Sequence, residues 1–225
     1  MKRIVFLTGA TGYIGRRLAA ELVNRGHEVR ALVRAGAQDR VAPGAKVVVG
    51  DALDAASYRG RVSPADTFVH LVGVAHPGPS KAEQFQTVDL ASLRAAVDAA
   101  QAARVGHFVY VSVAQPAPVM REYVAARRLG EEHLVASSLT ATLVRPWYVL
   151  GPGHWWPLVL LPMYGIAHLL PRWREVAQRL GLVTIRTMVR ALAACVDEPA
   201  AETRVLDVPA IRRIGARERP PTLVR

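Results

Sequence analysis

The sequence Lys2-Arg-Ile-Val-Phe-Leu-Thr-Gly-Ala-Thr-Gly-Tyr-Ile-Gly15 decides the fold of this chain. A short apolar run, Ile4–Leu7, leads directly into Gly9, Gly12 and Gly15, and an amphipathic helical pattern follows at once. A strand, a glycine turn and a helix in this order form a phosphate site. The glycines let the backbone approach the anion, and the helix N-terminus faces it with free N–H groups and a positive dipole. A glycine turn without a ligand is the alternative.

The composition predicts one globular domain. The chain has 225 residues, of which 51% are hydrophobic and 21% are charged, and this length suffices for one α/β domain with a sizeable core. The lone cysteine, Cys195, excludes an internal disulfide, and its helical surroundings predict a buried thiol. No His/Cys cluster has metal-ligand spacing, so we expect no metal site. The opening residues show no secretory signal, which predicts a cytoplasmic protein.

The charge balance is strongly basic, with a formal net charge of +11 that comes mostly from arginine. The arginines are spread along the chain without a nucleic-acid-binding motif, so we interpret them as a solvated basic surface. Nucleic acid is therefore not expected as a partner. The positive field would also favour a dinucleotide phosphate.

Strands and helices alternate along the first two thirds of the chain. After the opening strand, further strands are predicted at Val29–Val33, Lys46–Val49, Thr67–Val72, His107–Ser112 and Thr140–Arg145. Helices are predicted at Tyr13–Arg25, Ala82–Ala103 and Met120–Ser137. Apolar strands separated by helices indicate an α/β fold, a doubly wound parallel sheet with helices on both faces. Ligands of such sheets bind at the carboxyl ends of the strands.

The alternation breaks after Arg145. The segment Trp147–Leu170 contains no Lys, Arg, Asp or Glu, but its prolines and glycines argue against one continuous membrane helix. We predict a loop with short helices over the substrate side. An extended piece at Gly181–Ile185, a helix at Arg186–Val196, a last strand at Val205–Val208 and a loose basic tail at Arg212–Arg225 follow. The predicted organisation is a dinucleotide-binding domain (1–146), a substrate-side region of the same domain (147–210) and a tail (211–225).

Four motifs carry a family resemblance. Thr8-Gly-Ala-Thr-Gly-Tyr-Ile-Gly15 resembles the nucleotide fingerprint of extended and atypical short-chain dehydrogenases/reductases. Gly50-Asp-Ala-Leu-Asp54 is similar to that family's acidic turn after the third strand, Val109–Val113 to its fifth strand, and Arg145–Gly153 to the exit of its sixth strand. The resemblance runs from Lys2 to Val208. The short substrate region favours the atypical branch, which includes NmrA-like proteins and relatives of an accessory subunit of respiratory complex I.

The resemblance implies a Rossmann fold that binds NAD(P)(H) along this path. The fingerprint residues that it assigns to the cofactor are Gly9, Thr11, Gly12, Tyr13, Ile14 and Gly15. It further assigns Asp51 and Ala52 to the adenine, Leu71, Val72 and Gly73 to the ribose and phosphates, and Ser112 and Pro146 to the nicotinamide side. For Asp51, a simple turn-forming role remains the alternative.

The end of the second strand predicts which cofactor is bound. NAD-binding units carry an acidic residue there for the ribose 2′-hydroxyl, whereas an arginine suits a 2′-phosphate. This strand ends at Arg34 without an acid, so NADP(H) is the preferred cofactor and NAD(H) stays open. Arg16 and Arg40 are candidate assistants. The alternative is that Arg34 is only a surface residue.

The catalytic residues that the resemblance implies are altered at one position. The family uses a serine that orients the carbonyl, a tyrosine that donates the proton, and a lysine four residues after the tyrosine. Ser112 and Tyr123 fit the first two positions, but Arg127 stands in place of the lysine. Arginine keeps the charge without providing the compact ammonium group. His76 and His154 are alternative proton donors.

The sequence therefore leaves three functional hypotheses. The first is an NADP(H)-dependent oxidoreductase for a small apolar carbonyl compound. The residues expected to roof its pocket are Trp147, Tyr148, Trp155, Trp156 and Leu158–Leu161. The second is a non-catalytic NADP(H)-binding redox sensor or assembly factor. The third adds peripheral membrane contact through the tryptophans and Arg172, Arg174 and Arg179. The oligomeric state is not set by the sequence.

Overall fold

The described residues form a seven-stranded parallel sheet with a separate two-stranded piece. The computed structural model describes residues 1–155, 158–159 and 171–217. The strands in chain order are β1 Ile4–Thr8, β2 Glu28–Val33, β3 Lys46–Val49, β4 Thr67–His70, β5 His107–Val111, β6 Ala141–Val144, β7 Tyr148–Leu150, β8 Leu182–Thr184 and β9 Arg204–Leu206. The large sheet has the order β3-β2-β1-β4-β5-β6-β9, with every neighbouring pair parallel.

Helices cover both faces of this sheet. They are α1 Tyr13–Asn24, α2 Ala82–Gln84, α3 Ala91–Ala102, α4 Arg121–Ala136, α5 Pro171–Arg179, α6 Ile185–Asp197 and α7 Val208–Arg217. One apolar cluster joins α1, α6 and α7 to one face of the strands, and a second joins α3 and α4 to the other. The predicted doubly wound α/β fold is thus confirmed, and the predicted burial of Cys195 in α6 is confirmed as well.

The strand order reverses between β1 and β4, because β2 follows on one side of β1 and β4 lies on the other. Their register pairs Thr8 with His70, so the two strands end side by side. The loops that leave them, one with the glycines and one with Leu71–Gly73, therefore diverge and leave a crevice, which is where open α/β sheets bind their ligands.

Several predicted boundaries were wrong by a few residues. β4 ends at His70 and not at Val72, and β5 ends at Val111, so Ser112 follows the strand. Val72 and Ser112 therefore lie in the loops at the carboxyl edge of the sheet, after the hydrogen bonding between strands has ended. Between α2 and α3 the expected regular helix contains a π-helical segment, Phe85–Leu90.

Two predictions for the C-terminal third were wrong in kind. Tyr148–Leu150 was expected to be loop, but it is a strand that pairs in parallel with β8. The loose tail was expected from Arg212, whereas α7 continues to Arg217 because its apolar positions pack against α6. A Cβ on Gly215 would lie 2.3 Å from the Thr187 carbonyl oxygen, so the two helices are in close contact there. Residues 218–225 of the predicted tail lie outside the described residues.

Candidate functional site

The glycine turn after β1 is built for close backbone approach. Gly9 has a φ of +74°, and a Cβ there would lie 2.9 Å from the Leu71 carbonyl carbon. The Gly12 N–H donates to the Gly9 carbonyl oxygen over 3.0 Å and closes the turn. A Cβ on Gly15 would lie 2.0 Å from that same oxygen. Side chains at Gly9 and Gly15 would therefore clash with neighbouring backbone atoms, and glycine lets the turn pack closely against α1 and the loop after β4, as in a helix N-terminus that binds a pyrophosphate.

The residues predicted for the adenine end lie on the surface beside this turn. Arg34 follows β2 and is exposed, as are Arg16 at the start of α1 and Arg40. Asp51 follows β3, and one of its carboxylate oxygens accepts a hydrogen bond of 3.0 Å from the Leu53 N–H. This contact gives Asp51 the turn-forming role and leaves its second oxygen for a ligand.

A cavity of about 440 Å³ opens next to the crevice. It is mainly apolar. Its described lining consists of Tyr13, Ile14, Leu71, Gly73, Val74, His76, Pro77, Val111, Ser112, Val113, Met120, Tyr123, Arg127, Pro146, Trp147, Tyr148, Val149 and His154. One cavity is therefore surrounded by four elements: α1, the loop after β4, the end of β5 and the start of α4. The volume suits a small organic molecule beside one end of a dinucleotide.

The cavity brings together the three residues predicted for catalysis. Ser112 is buried, and its Oγ has no hydrogen-bond partner among the described residues. Tyr123 lies in the first turn of α4, where its ring packs against Phe85 at a centroid distance of 5.1 Å. An unpaired buried hydroxyl is unfavourable unless water or a ligand satisfies it, so Ser112 is placed to bind a polar atom inside the cavity.

Arg127 is held by a buried ion pair that the sequence analysis missed. Its Nη2 lies 2.6 Å from Oδ1 of Asp89, and both side chains are almost fully buried. Its Nη1 donates to the Val111 carbonyl oxygen over 3.0 Å, and its guanidinium carbon lies 5.3 Å from the centre of the Tyr123 ring. The other oxygen of Asp89 accepts from the Val74 N–H. Arg127 therefore fastens α4 to the ends of β4 and β5.

The charges of this pair stabilise each other in a buried setting. Burial raises the pKa of Asp89, while Arg127 and the Val74 N–H oppose that rise. Burial disfavours the charged guanidinium, but Tyr123, Tyr110 and Asp89 outweigh it and raise the pKa of Arg127. Arg127 thus stays protonated and cannot pass a proton on.

Behind the glycine turn lies a neutral histidine. Nδ1 of His70 is 2.9 Å from the Thr8 hydroxyl, and Nε2 is 3.4 Å from the Ser92 hydroxyl. Burial, with a smaller contribution from Arg127, lowers the pKa of His70 to about 3. The network ties β1 to β4 directly below the crevice.

Two histidines stack at the side of the cavity. The rings of His76 and His154 are nearly parallel, with centroids 5.3 Å apart, and His154 also packs on Tyr13 at 4.2 Å. His76 has a φ of +50°, an unfavourable conformation for a residue with a side chain. Nδ1 of His154 is buried without a partner in the described part of the chain. Both predicted alternative donors thus border the same cavity as Ser112.

The expected roof is only partly described. Trp147 and Tyr148 line the cavity, while Trp155, Leu158 and Val159 are exposed and do not belong to its described lining. Trp156, Leu160 and Leu161 lie outside the described residues. Every helix among the residues that the structure describes is too short or too polar to cross a lipid bilayer. Within the same ranges, we find no cluster of three or more His, Cys, Asp or Glu side chains arranged for a metal ion.

This fold and this site define a dinucleotide-binding protein of the short-chain dehydrogenase type. Residues 9–151 match the sequence model of the NAD(P)H-binding family, and the chain belongs to that family. The resemblance stated above is thereby confirmed: the protein is atypical short-chain-dehydrogenase-like, with a Rossmann fold.

Its relatives include reductases. The chain is 29% identical to the ceramide reductase of Caulobacter vibrioides over 94% of its own length and 66% of that protein. It is 32% identical to the chloroplastic divinyl chlorophyllide a 8-vinyl-reductase of Oryza sativa over 63% of its own length and 39% of that protein. The chain therefore spans less than two thirds of the length of these curated relatives.

A solved structure shares the fold. The Bordetella bronchiseptica enzyme WbmH, in complex with NAD⁺, superposes with a TM-score of 0.67 at 20% identity. The match covers 96% of this chain and 80% of that one. At this identity the likeness establishes the Rossmann-like fold alone.

Proposed function

We propose that this chain is an NADP(H)-dependent oxidoreductase that reduces a carbonyl group on a small, largely apolar substrate. The observation that carries the proposal is the cavity itself. It joins Ser112, with its unpaired hydroxyl, and Tyr123 to the helix of the glycine turn through Tyr13 and Ile14. Family membership supports cofactor binding, and the reductases among its relatives support the reaction class.

The preference for NADP(H) rests on Arg34. It is exposed at the carboxyl end of β2, where the ribose 2′-position of a bound dinucleotide would lie. Its planar guanidinium suits two-pronged binding of a 2′-phosphate. Arg16 and Arg40 are also exposed, and they add positive charge near this end of the sheet.

The residues of the cavity divide the chemistry between them. A bound reduced nicotinamide supplies the hydride. Ser112 donates a hydrogen bond to the carbonyl oxygen and orients it, and the Tyr123 hydroxyl donates the proton as negative charge develops on that oxygen. Pro146 and Gly73 shape the walls beside the reacting atoms. Arg127 acts on this chemistry through its contact with the Tyr123 ring.

The apolar lining and one relative support a lipid-like substrate. Val74, Val113, Met120 and Trp147 offer aliphatic and aromatic contacts, and most of the lining surface is apolar. The ceramide reductase match covers almost the whole chain. We therefore expect a ketone attached to a hydrocarbon chain to bind better than a polar sugar derivative.

The test is oxidation of NADPH in the presence of ketones with increasing hydrocarbon chain length. Tyr123→Phe should lower kcat by about a hundredfold or more, and Ser112→Ala should act in the same direction. Tyr58→Phe, a change at a buried tyrosine that does not line the cavity, is the matched control and should leave kcat unchanged. Cofactor binding without turnover on any ketone, or full activity in both cavity variants, would contradict the proposal.

A second candidate function is a non-catalytic NADP(H)-binding sensor or assembly factor. The observation that favours it is the immobilised Arg127, which occupies the position of the family's lysine but is paired to Asp89. It predicts cofactor affinity that depends on redox state and changes binding to a protein partner. Saturating NADPH that leaves pull-down of every partner unchanged would count against it.

Peripheral membrane contact belongs to the proposal as a supply route for an apolar substrate. Val159, Trp155 and Leu158 follow the lining residue His154 in sequence and are exposed by 74%, 53% and 39%, and the chain carries a charge of +11. Vesicles with anionic phospholipid should therefore retain the protein at low salt. Val159→Ser should weaken retention, whereas Val135→Ser on α4, at a site with 55% exposure, should not. Equal retention of both variants would exclude this surface.

A further inference from the structure

The floor of the cavity holds a pair of opposite charges that together carry no net charge. Asp89 is fully buried, and Arg127 is only 5% exposed. Asp89 lies in the π-helical segment Phe85–Leu90, which adds a residue to the turn and directs this carboxylate toward the cavity floor. Such π-helical insertions occur frequently at functional sites.

The pair controls the permanent charge of the cavity wall. Of the described residues that line the cavity, Arg127 is the one with a permanent charge, and Asp89 directly behind it cancels that charge. His76 and His154 also line the cavity, where they stack on each other, and His154 packs on Tyr13 as well. Removal of Asp89 would therefore leave one uncompensated positive charge in the floor.

The pair also lies against the path expected for the dinucleotide. A Cβ added to Gly73 would lie 2.1 Å from Nη2 of Arg127 and 3.1 Å from Oδ1 of Asp89. Gly73 lies in the connection that follows β4, at the carboxyl edge where the crevice opens, and it lines the cavity. Only a glycine backbone therefore separates the ion pair from this end of the site.

We propose that the buried Asp89–Arg127 pair keeps the cavity floor neutral and thereby keeps the affinities for the oxidised and the reduced nicotinamide cofactor close to each other. The oxidised nicotinamide ring carries a positive charge, and the reduced ring is neutral, so the two forms differ by one charge at the ring. A neutral floor discriminates weakly between them, and a positive floor disfavours the oxidised form. The inference rests on the cofactor binding in the proposed function and does not depend on turnover.

The test measures Kd for NADP⁺ and NADPH by calorimetry on the full chain, without substrate. Asp89→Asn should raise the ratio of the NADP⁺ Kd to the NADPH Kd on the order of tenfold, as expected for one charge acting over about 10 Å at an effective dielectric constant of about 20. By linkage, the same variant should shift the midpoint potential of the bound cofactor by about 30 mV toward stabilisation of the reduced form.

Glu131→Gln is the matched control. Glu131 is 4% exposed and pairs with Arg145, so the substitution also removes one buried carboxylate from an ion pair, but neither residue lines this cavity. The ratio of Kd values should stay within about twofold of the wild-type ratio. The double variant Asp89→Asn with Arg127→Gln restores a neutral floor and should also return to the wild-type ratio.

Arg127→Gln alone keeps the test decisive if Asp89→Asn does not fold. It leaves Asp89 as the titrating group of the floor, so the ratio of Kd values should fall as a rising pH ionises that carboxylate. An unchanged ratio in whichever single variant folds, or an equal rise in Glu131→Gln, would overturn the role of the pair. Failure of the wild-type chain to bind either form would instead contradict the proposed function.

Discussion

The glycine turn and the cavity floor lie at the same edge of the sheet, but the turn is formed by backbone atoms and the floor by charged side chains. The turn depends on backbone packing, because side chains at Gly9 and Gly15 would clash with neighbouring main-chain atoms. The floor consists of side chains, because Asp89 and Arg127 are brought together from segments 38 positions apart. The turn requires the absence of side chains at its glycines, whereas the floor requires that both members of the ion pair be present.

The difference concerns how each region tolerates change. The glycine turn depends on close backbone packing, so a Cβ atom added at one of its glycines would cause a steric clash. A buried ion pair depends on balance, so removal of one partner is worse than removal of both. The turn is thus local and rigid, whereas the floor links α4, the π-helical segment and the ends of β4 and β5 in one network.

The largest effect should come from breaking the floor. Asp89→Asn leaves the Arg127 charge buried without its partner, and we expect a loss of about 3–5 kcal/mol in the free energy of unfolding. Glu132→Gln removes a carboxylate from the exposed pair with Arg128 and should change the stability by less than about 1 kcal/mol. Urea unfolding of both variants measures the contrast. Equal losses in the free energy of unfolding would mean that breaking the buried pair costs no more stability than breaking the exposed pair.

A smaller loss should follow from filling the turn. Gly15→Ala places a Cβ 2.0 Å from the Gly9 carbonyl oxygen, so the turn must move, and we expect about 2–3 kcal/mol of destabilisation with weaker cofactor binding. Gly60→Ala, where a Cβ would meet no atom within 4 Å, is the control and should be neutral. Urea unfolding and NADPH titration measure the two effects. Unimpaired NADPH binding in Gly15→Ala would contradict the prediction that cofactor binding requires glycine at this position of the turn.

The network under the turn should make stability depend on pH. The pKa of His70 is lowered to about 3 in the folded chain, against about 6.5 when unfolded, so the unfolded chain binds the proton first. Stability is therefore full above pH 6.5 and falls as the pH drops toward 3. Between pH 6.5 and 5, His70 should contribute a loss of about 1.5 kcal/mol.

Urea unfolding across this range, with His70→Asn alongside, isolates the contribution. The variant should be less stable at pH 8 but should lose less stability on acidification. His107, with a pKa lowered to about 4 mainly by burial, should keep part of the slope in the variant. A slope that does not change in His70→Asn would contradict a neutral buried His70.

The smallest effect should come from the adenine end of the cradle. Arg34→Ala should weaken NADPH binding about tenfold and leave NADH binding almost unchanged, because only NADPH carries the 2′-phosphate. Arg94→Ala on α3 removes another exposed arginine, which does not follow β2, and should change neither affinity. Equal losses for NADPH and NADH would reassign Arg34 to a general electrostatic role.

The cradle and most of the sheet could be predicted from sequence because their signals are local. A glycine spacing, a following helical pattern and alternating apolar runs each lie within a few residues, and the structure confirms their order. The strand ends were less predictable, because Val72 and Ser112 are apolar or small residues that fit a strand as well as the connection after it.

Asp89 was missed because its role depends on a distant partner and on an irregular turn. Within the predicted helix Ala82–Ala103 it looked like one more polar position, whereas the π-helical segment shifts it to the buried side. The available signal was Arg127: an arginine in the position of the family's lysine, on a helix face that packs inward, requires a buried carboxylate nearby.

Helix α7 was missed for a related reason. Its arginines suggested a solvated tail, yet Ile211 and Gly215 lie on one face and pack against α6. The spacing of those two residues was visible in the sequence, but the basic composition outweighed it in the prediction. The basic composition correctly indicated that one face of α7 is exposed to solvent, but it gave no sign of the face that packs against α6.

The parallel pairing of β7 with β8 has a consequence for how this protein can vary. Each strand has only three residues, so the chain leaves at Leu150 and returns at Leu182 from points about 10 Å apart. Because the entropy of closing a loop rises slowly with its length, the residues between these points can be exchanged or lengthened while the sheet keeps its register. The two short strands thus hold both ends of the intervening segment in one register, whatever the length of that segment.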